Sequence, residues 1–391
     1  MNFETKAIRL QTERSQHREH SVPLFNTSSF VFEDAEQMRA MFADEIEGNI
    51  YSRFSNPNCI ELEQKIAALE GTDTAISTAT GMSAIYSSMA GLLQSGDHIL
   101  ASSALFGSSF QILTTILPKF GITHTFADTK KTDEWESLIQ PNTKMLFIET
   151  PSNPGLDIVD LEWTGQLAKK HGLIFNVDNC FATPYLQNPA KYGADLVTHS
   201  ATKFIDGQGR VLGGIIAGKA NLIDQIRKFN RQTGPSLSPF NAWILSKSLE
   251  TLAVRMDKHC SNALALAQHL TGHEAISKVN YPFLETHLGH EIAKKQMRMG
   301  GGIVTFELKD GLERGKNFLN ALKLISLSAN LGDTRSIATH PASTTHSKLA
   351  EEDRLAVGIT NGLVRISVGL EHIDDIVADI AQALAISKTN H

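Results

Sequence analysis

The chain has 391 residues, 41% hydrophobic and 20% charged, with a formal net charge of −6 at pH 7. That is the make-up of a folded enzyme longer than one ordinary core, so two lobes are expected. The acidic balance and the lack of any Lys/Arg run exclude a nucleic-acid-binding surface. The three cysteines, Cys59, Cys180 and Cys260, show no C-x-x-C spacing, so neither a disulfide frame nor a metal cage is expected. The opening stretch is charged and lacks an apolar signal region, and no 18-residue apolar run follows. A cytoplasmic protein without a membrane span is therefore expected.

In chain order, residues 1–48 read as an arm, polar at first and then acidic and amphipathic around Asp34 to Phe42. It has too little apolar surface to fold alone and is expected to pack on another lobe or subunit. A helix is predicted from Cys59 to Glu70, with Ile60, Leu62, Ile66 and Leu69 at helical intervals and Gly71 as its stop. A strand at Thr74 to Thr78 then feeds Gly81, which opens a helix and leaves backbone N–H groups free to face an anion. Strands follow at His98 to Ala101 and Met145 to Glu149, then a helix at Trp163 to His171, then strands at Leu173 to Val177 and Leu196 to Val197. This alternation predicts an α/β domain over 49–245 with a doubly wound sheet. GGIIAGK (Gly213 to Lys219) meets the spacing of a nucleotide-binding loop, but Ala220 replaces the Ser or Thr that holds magnesium and the run is strand-like. Residues 246–391 form the remaining lobe. It begins near Trp243 with one long helix carrying Leu245, Leu249, Leu252 and Met256 on a stripe. Strands follow in GGGIVTFEL, KLISLSANLGDTRS and GLVRISVGLE, then a helix from about Ile373 to Ala385. His269 and His273 lack a third ligand and read as solvated, so no metal site is expected.

The chemistry is concentrated where two apolar strands end in polar sets. Asp178 and Asn179 follow the first; His199, Ser200, Thr202 and Lys203 follow the second. Parallel strands whose carboxyl ends open onto a ligand crevice read this way. A random Asp and Lys would form an ordinary surface ion pair. With these hydroxyl neighbours the stronger reading is a Schiff-base lysine, Lys203, holding pyridoxal 5′-phosphate (PLP). Asp178 would then pair with the pyridine nitrogen, and Ser200 and Thr202 would bond the phosphate.

Four segments occur in order: YSRFSNP (Tyr51 to Pro57), ETPSNP (Glu149 to Pro154), VDNCFATP (Val177 to Pro184) and HSATKF (His199 to Phe204). Together they resemble the Cys/Met-metabolism family of PLP enzymes, which includes cystathionine γ-synthase, cystathionine and methionine lyases and the homoserine-ester sulfhydrylases. The resemblance implies the type I fold of PLP-dependent transferases, with a mostly parallel seven-stranded sheet between helices and a smaller α+β C-terminal domain. It implies that Tyr51 and Arg53 reach the cofactor phosphate of a neighbouring subunit, Arg53 through a charge-assisted contact. It also implies that the backbone of Gly81 and Met82 binds that phosphate and that an aromatic ring at 106 stacks on the cofactor. Asn153 would contact the cofactor's phenolic oxygen or the substrate carboxylate, and Arg365 would fork onto the substrate α-carboxylate. A homotetramer built as a dimer of dimers is implied as well.

Two departures from the usual family pattern refine the expected reaction. Phe106 stands where tyrosine is usual; it can stack but has no hydroxyl proton to give. A carboxylate leaving group needs less protonation than a thiolate, so Phe106 suits an acyl ester better than a thioether. Asn330 stands where the synthase and lyase branch carries serine. Its N-x-G-D form, with HPASTTH (His340 to His346), resembles sulfhydrylases acting on homoserine esters, and Asn330 is expected at the substrate. The expected reaction is γ-replacement, O-succinyl-L-homoserine and sulfide giving L-homocysteine and succinate. Cystathionine γ-synthesis, use of the acetyl ester, and γ-elimination from methionine or cystathionine remain open.

Overall fold

The computed structural model describes residues 1–344, 347, 351–356 and 358–388. Thr345 and His346 of the HPASTTH segment lie outside the described residues. Seven strands make the larger sheet: β1 (Thr74–Thr78), β2 (His98–Ser102), β3 (Thr123–Ala127), β4 (Thr143–Glu149), β5 (Ile174–Asp178), β6 (Leu196–Ser200) and β7 (Gly214–Gly218). Their spatial order is β1-β7-β6-β5-β4-β2-β3. All neighbours run parallel except β7, which is antiparallel to both β1 and β6. The central strands are rich in apolar residues on both faces because helices cover both. Met145, Leu146, Phe147, Ile148, Phe175 and Val177 have no exposure at all. The run that mimics a nucleotide loop is β7 itself, extended and buried.

The first core helix spans Pro57–Glu70 and starts two residues before the expected Cys59. Asn56 sets that start: its side chain accepts the N–H of Asn58, and Pro57 occupies the first turn, where no N–H is missed. Gly71 ends the helix at φ 75°, as expected of a left-handed cap. The amino-terminal stretch, read as polar arm, contains a helix at Phe3–Arg9. It is docked on the large lobe of its own chain. Ala7 is buried, Lys6 donates to the carbonyl of Ala68 at 3.2 Å, and the Phe3 ring meets Tyr185 edge-on at 5.1 Å.

The smaller sheet is five-stranded, in the order β10-β11-β12-β9-β8. Its strands are β8 (Ile276–Asn280), β9 (Ile303–Leu308), β10 (Ser326–Leu327), β11 (Ile337–Thr339) and β12 (Leu363–Ser367). Within KLISLSANLGDTRS only Ser326 and Leu327 are extended; the rest is a loop. The single long helix expected before this sheet is two, Pro239–Leu249 and Leu252–Leu270. No glycine or proline causes the break. The buried Arg255 takes the carbonyl of Ser248, which an unbroken helix would give to the N–H of Leu252, and also holds the carbonyls of Phe204 and Ile205. Leu252, Ala253, Met256 and Cys260 pack into the core beside the large sheet, whereas Ala263, Leu266, Ala267 and Leu270 pack into that of the small one. The division expected at 245/246 falls inside the helix Pro239–Leu249. Among the described residues no helix is long and apolar enough to cross a membrane.

Candidate active site

Three adjacent strands end at one place. Glu149 closes β4, Asp178 closes β5 directly opposite it in register, and Ser200 closes β6. Just beyond β1, the helix Gly81–Ala90 begins with a reciprocal cap: the Thr80 hydroxyl accepts the N–H of Ser83, and the Ser83 hydroxyl accepts the N–H of Thr80. This aims the free N–H groups of the first turn at the same region. Gly81 is required by closeness rather than by a turn. A Cβ there would stand 2.5 Å from the Cβ of Ser200.

These elements enclose a cavity of about 300 Å³. Gly81 and Met82 of the helix start, Ser200 and Thr202, and Asp178 and Lys203 all line it. Phe106, 40% exposed, adds an aromatic wall, and Asn153 and Arg365, bonded to each other, line it as well. The hydroxyl of Thr202 is fastened to Gly213, accepting its N–H at 3.1 Å. Asp178 and Lys203 face one cavity but are not paired with each other. Lys203 Nζ donates to Asn330 Oδ1 at 2.7 Å, while Asp178 Oδ1 accepts the N–H of Cys180 at 3.0 Å. Gly332, at φ +77°, presses on the lysine's own turn, where a Cβ would come 2.6 Å from the Phe204 nitrogen.

Among the described residues, the contacts of the buried cation Arg365 are all neutral. Nη1 donates to Asn153 Oδ1 at 2.8 Å and Nη2 to the Asn330 carbonyl at 3.3 Å, while Nε has no partner. Burial alone pulls its pKa down to about 10. A guanidinium kept dry without a carboxylate is costly in itself and suited to receiving an anion. Burial, then the charge of Arg365, lowers the Lys203 amine as well. Burial raises Asp178 to about 6. Glu149 is raised well above the ordinary carboxylate range, by burial first and then by the charge of Asp178.

The raised carboxyl pKa values have a measurable sign. Between about pH 4 and 6 the folded cofactor-free chain holds a proton at Asp178 that the unfolded chain has lost, so stability falls as pH rises through that window. We expect the urea midpoint of the cofactor-free protein to decline from pH 4.5 to 6.5, and Asp178→Asn to flatten the decline. An equal slope in both proteins would reject this.

Tyr51 and Arg53 do not reach the cavity of their own chain. Both are exposed, and Arg53 donates to the carbonyl of Arg231 while its guanidinium lies 4.7 Å from the Phe54 ring centre. Among the cavity residues not singled out from the sequence, two are ionisable. Cys180 lines the cavity, its N–H held by Asp178 and its thiol raised by burial. Glu149 was visible only as the first letter of ETPSNP, although, like Asp178, it is a carboxylate closing an apolar strand.

The cavity has the parts a pyridoxal phosphate needs: an anion-facing helix start, a carboxylate with an oxygen to spare, a half-buried amine and an aromatic wall. Residues 4–385 match the model of the family described as Cys/Met metabolism PLP-dependent enzyme. An O-succinylhomoserine sulfhydrylase of Pseudomonas aeruginosa is 45% identical over 383 residues, covering 98% of this chain and 95% of that one. An L-methionine gamma-lyase of Fusobacterium nucleatum subsp. polymorphum is 46% identical, covering 97% of each. The crystal structure of a putative O-acetylhomoserine (thiol)-lyase from Campylobacter jejuni, which carries a pyridoxyl-lysine phosphate, superposes with a TM-score of 0.95 at 36% identity. It covers 98% of this chain and 100% of its own. With a family match of this extent over a cavity of this make-up, the chain belongs to the PLP-dependent enzymes of Cys/Met metabolism, which carry out γ-replacement or γ-elimination on homoserine derivatives.

Proposed function

We propose that the protein catalyses γ-replacement on O-succinyl-L-homoserine, with sulfide entering and succinate leaving to give L-homocysteine. The observation that carries this reading is Phe106: the cavity wall at that point is aromatic but has no hydroxyl, so no acid stands there to protonate a departing thiolate. Succinate leaves as a stable anion and needs no such proton. The kinship to an O-succinylhomoserine sulfhydrylase supports the same choice. The equally close gamma-lyase keeps elimination from methionine as the second reading.

In this reading Gly81, Met82, Ser200 and Thr202 would hold the cofactor phosphate, Asp178 would accept a hydrogen bond from the pyridine N–H, Phe106 would face the ring, and Lys203 would be the covalent anchor. Tyr51 and Arg53 serve the phosphate of a neighbouring subunit in a homotetramer. The bound cofactor supplies an electron sink for negative charge developing on the substrate. Arg365, braced by Asn153, takes the substrate α-carboxylate, and the Asn330 side chain adjoins the substrate. Displaced by the substrate's amine, the amine of Lys203, its pKa lowered by burial, would take the proton from Cα, give it up to the electron sink and so be free to take a proton from Cβ, after which the Cγ–O bond breaks with its electron pair leaving on succinate. Hydrosulfide adds to Cγ, and protons return to Cβ and Cα.

The test is a steady-state comparison of the succinyl and acetyl esters, each with sulfide or cysteine, alongside methionine alone. The highest kcat/KM is expected for the succinyl ester with sulfide. A higher value for 2-oxobutanoate release from methionine would overturn the reading in favour of the lyase.

A further inference from the structure

The cavity's two substrate-facing walls come from distant parts of the chain. Phe106 opens the short helix after β2, whereas Asn153 follows β4 and braces Arg365 of β12. One side chain joins them. Glu149 is 4% exposed and spends each carboxylate oxygen on a different wall: Oε2 accepts the N–H of Phe106 at 2.7 Å, and Oε1 accepts the N–H of Asn153 at 2.9 Å. No ion pair joins it to a cation among the described residues, and Asp178 lies opposite it in register. A buried carboxylate beside another carboxylate is an expensive way to fill space, and an apolar residue would serve a mere core better. The arrangement makes sense if both oxygens are needed.

We propose that Glu149 is a positioning residue that sets the spacing between the aromatic wall at Phe106 and the carboxylate-receiving end at Asn153 and Arg365. This rests on the reading of Arg365 as the receptor of the substrate α-carboxylate. Glu149 touches no reacting atom; it acts through the two amides it holds. Glutamine at this position has the same shape but only one acceptor oxygen, so one of the two N–H groups would face an amide NH₂ and be released. Aspartate keeps the charge but is one methylene short of spanning both.

The decisive experiment uses the holoenzyme and two small ligands without a leaving group, glycine and methylamine, which differ by the carboxylate alone. Binding of each is followed by the change in the visible absorption of the bound cofactor. Wild type is expected to favour glycine, and Glu149→Gln to lose about tenfold of that preference while methylamine binds within twofold of wild type. The visible circular dichroism band should weaken in the variant, since the ring's aromatic wall is no longer pinned. A purely structural glutamate would lower the melting temperature and leave the glycine-to-methylamine ratio intact, and that result would overturn the proposal. Should Glu149→Gln not yield holoenzyme, Glu149→Asp is read by the same ratio with the same expected loss. If wild type itself fails to distinguish the two ligands, the assignment of Arg365 is at fault, and the proposal falls with it.

Discussion

Replacing Lys203 with Ala is expected to abolish turnover, by about 10⁴-fold in kcat, and to remove the visible absorption of lysine-bound cofactor. In the proposed mechanism two roles are lost together, because the same amine would anchor the cofactor and move the Cα proton. The surroundings make substitution by another base unpromising. Lys203 Nζ is already directed by Asn330 Oδ1 at 2.7 Å, and Gly332 fixes the backbone of its turn, so a longer or shorter base would sit elsewhere. The check is a single-turnover assay on the variant after its cofactor content is measured. Homocysteine formation at more than a hundredth of the wild-type rate would refute the assignment.

Arg365→Lys is expected to lower kcat/KM for the homoserine ester by about 100-fold, roughly 3 kcal/mol, with the KM for sulfide unchanged. The charge is conserved, so only geometry is tested. In the wild type Nη1 is held by Asn153 and Nη2 by the Asn330 carbonyl, which leaves Nε as the unpartnered donor on a planar fork. An ammonium is a point charge on a flexible stem and cannot present two parallel donors. A loss confined to kcat, or one smaller than threefold, would mean that the carboxylate binds elsewhere.

Most of the large lobe was legible in the sequence because its strands are buried on both faces. Apolar stretches that give way to polar residues at Glu149, Asp178 and, after Leu196 and Val197, at Thr198 to Ser200 announce both a parallel sheet and the edge where a ligand meets it. Features that depend on a remote partner were not legible. The helix Phe3–Arg9 is seven residues of mixed polarity, too short to stand alone, and is held by Ala68 and Tyr185. The break between Leu249 and Leu252 carries no local signal, since it depends on Arg255 reaching Phe204 and Ile205 some fifty residues back in the chain. Glu149 has an ordinary strand-end pattern, and one of its two amides comes from Phe106, 43 residues earlier. The sequence marked Asp178, Lys203 and Arg365; the tie that Glu149 makes between Phe106 and Asn153 became visible only in the fold.

The helix Leu252–Leu270 has one half in each hydrophobic core, and this bears on how a reactant gets in and out. Swinging the lobes apart like jaws would have to bend nineteen residues of continuous helix or pull Leu and Met side chains out of a dry interior. Both are far costlier than a loop rearrangement. Local rearrangement beside the half-exposed Phe106 is therefore a less costly way to admit a reactant than a swing of whole lobes.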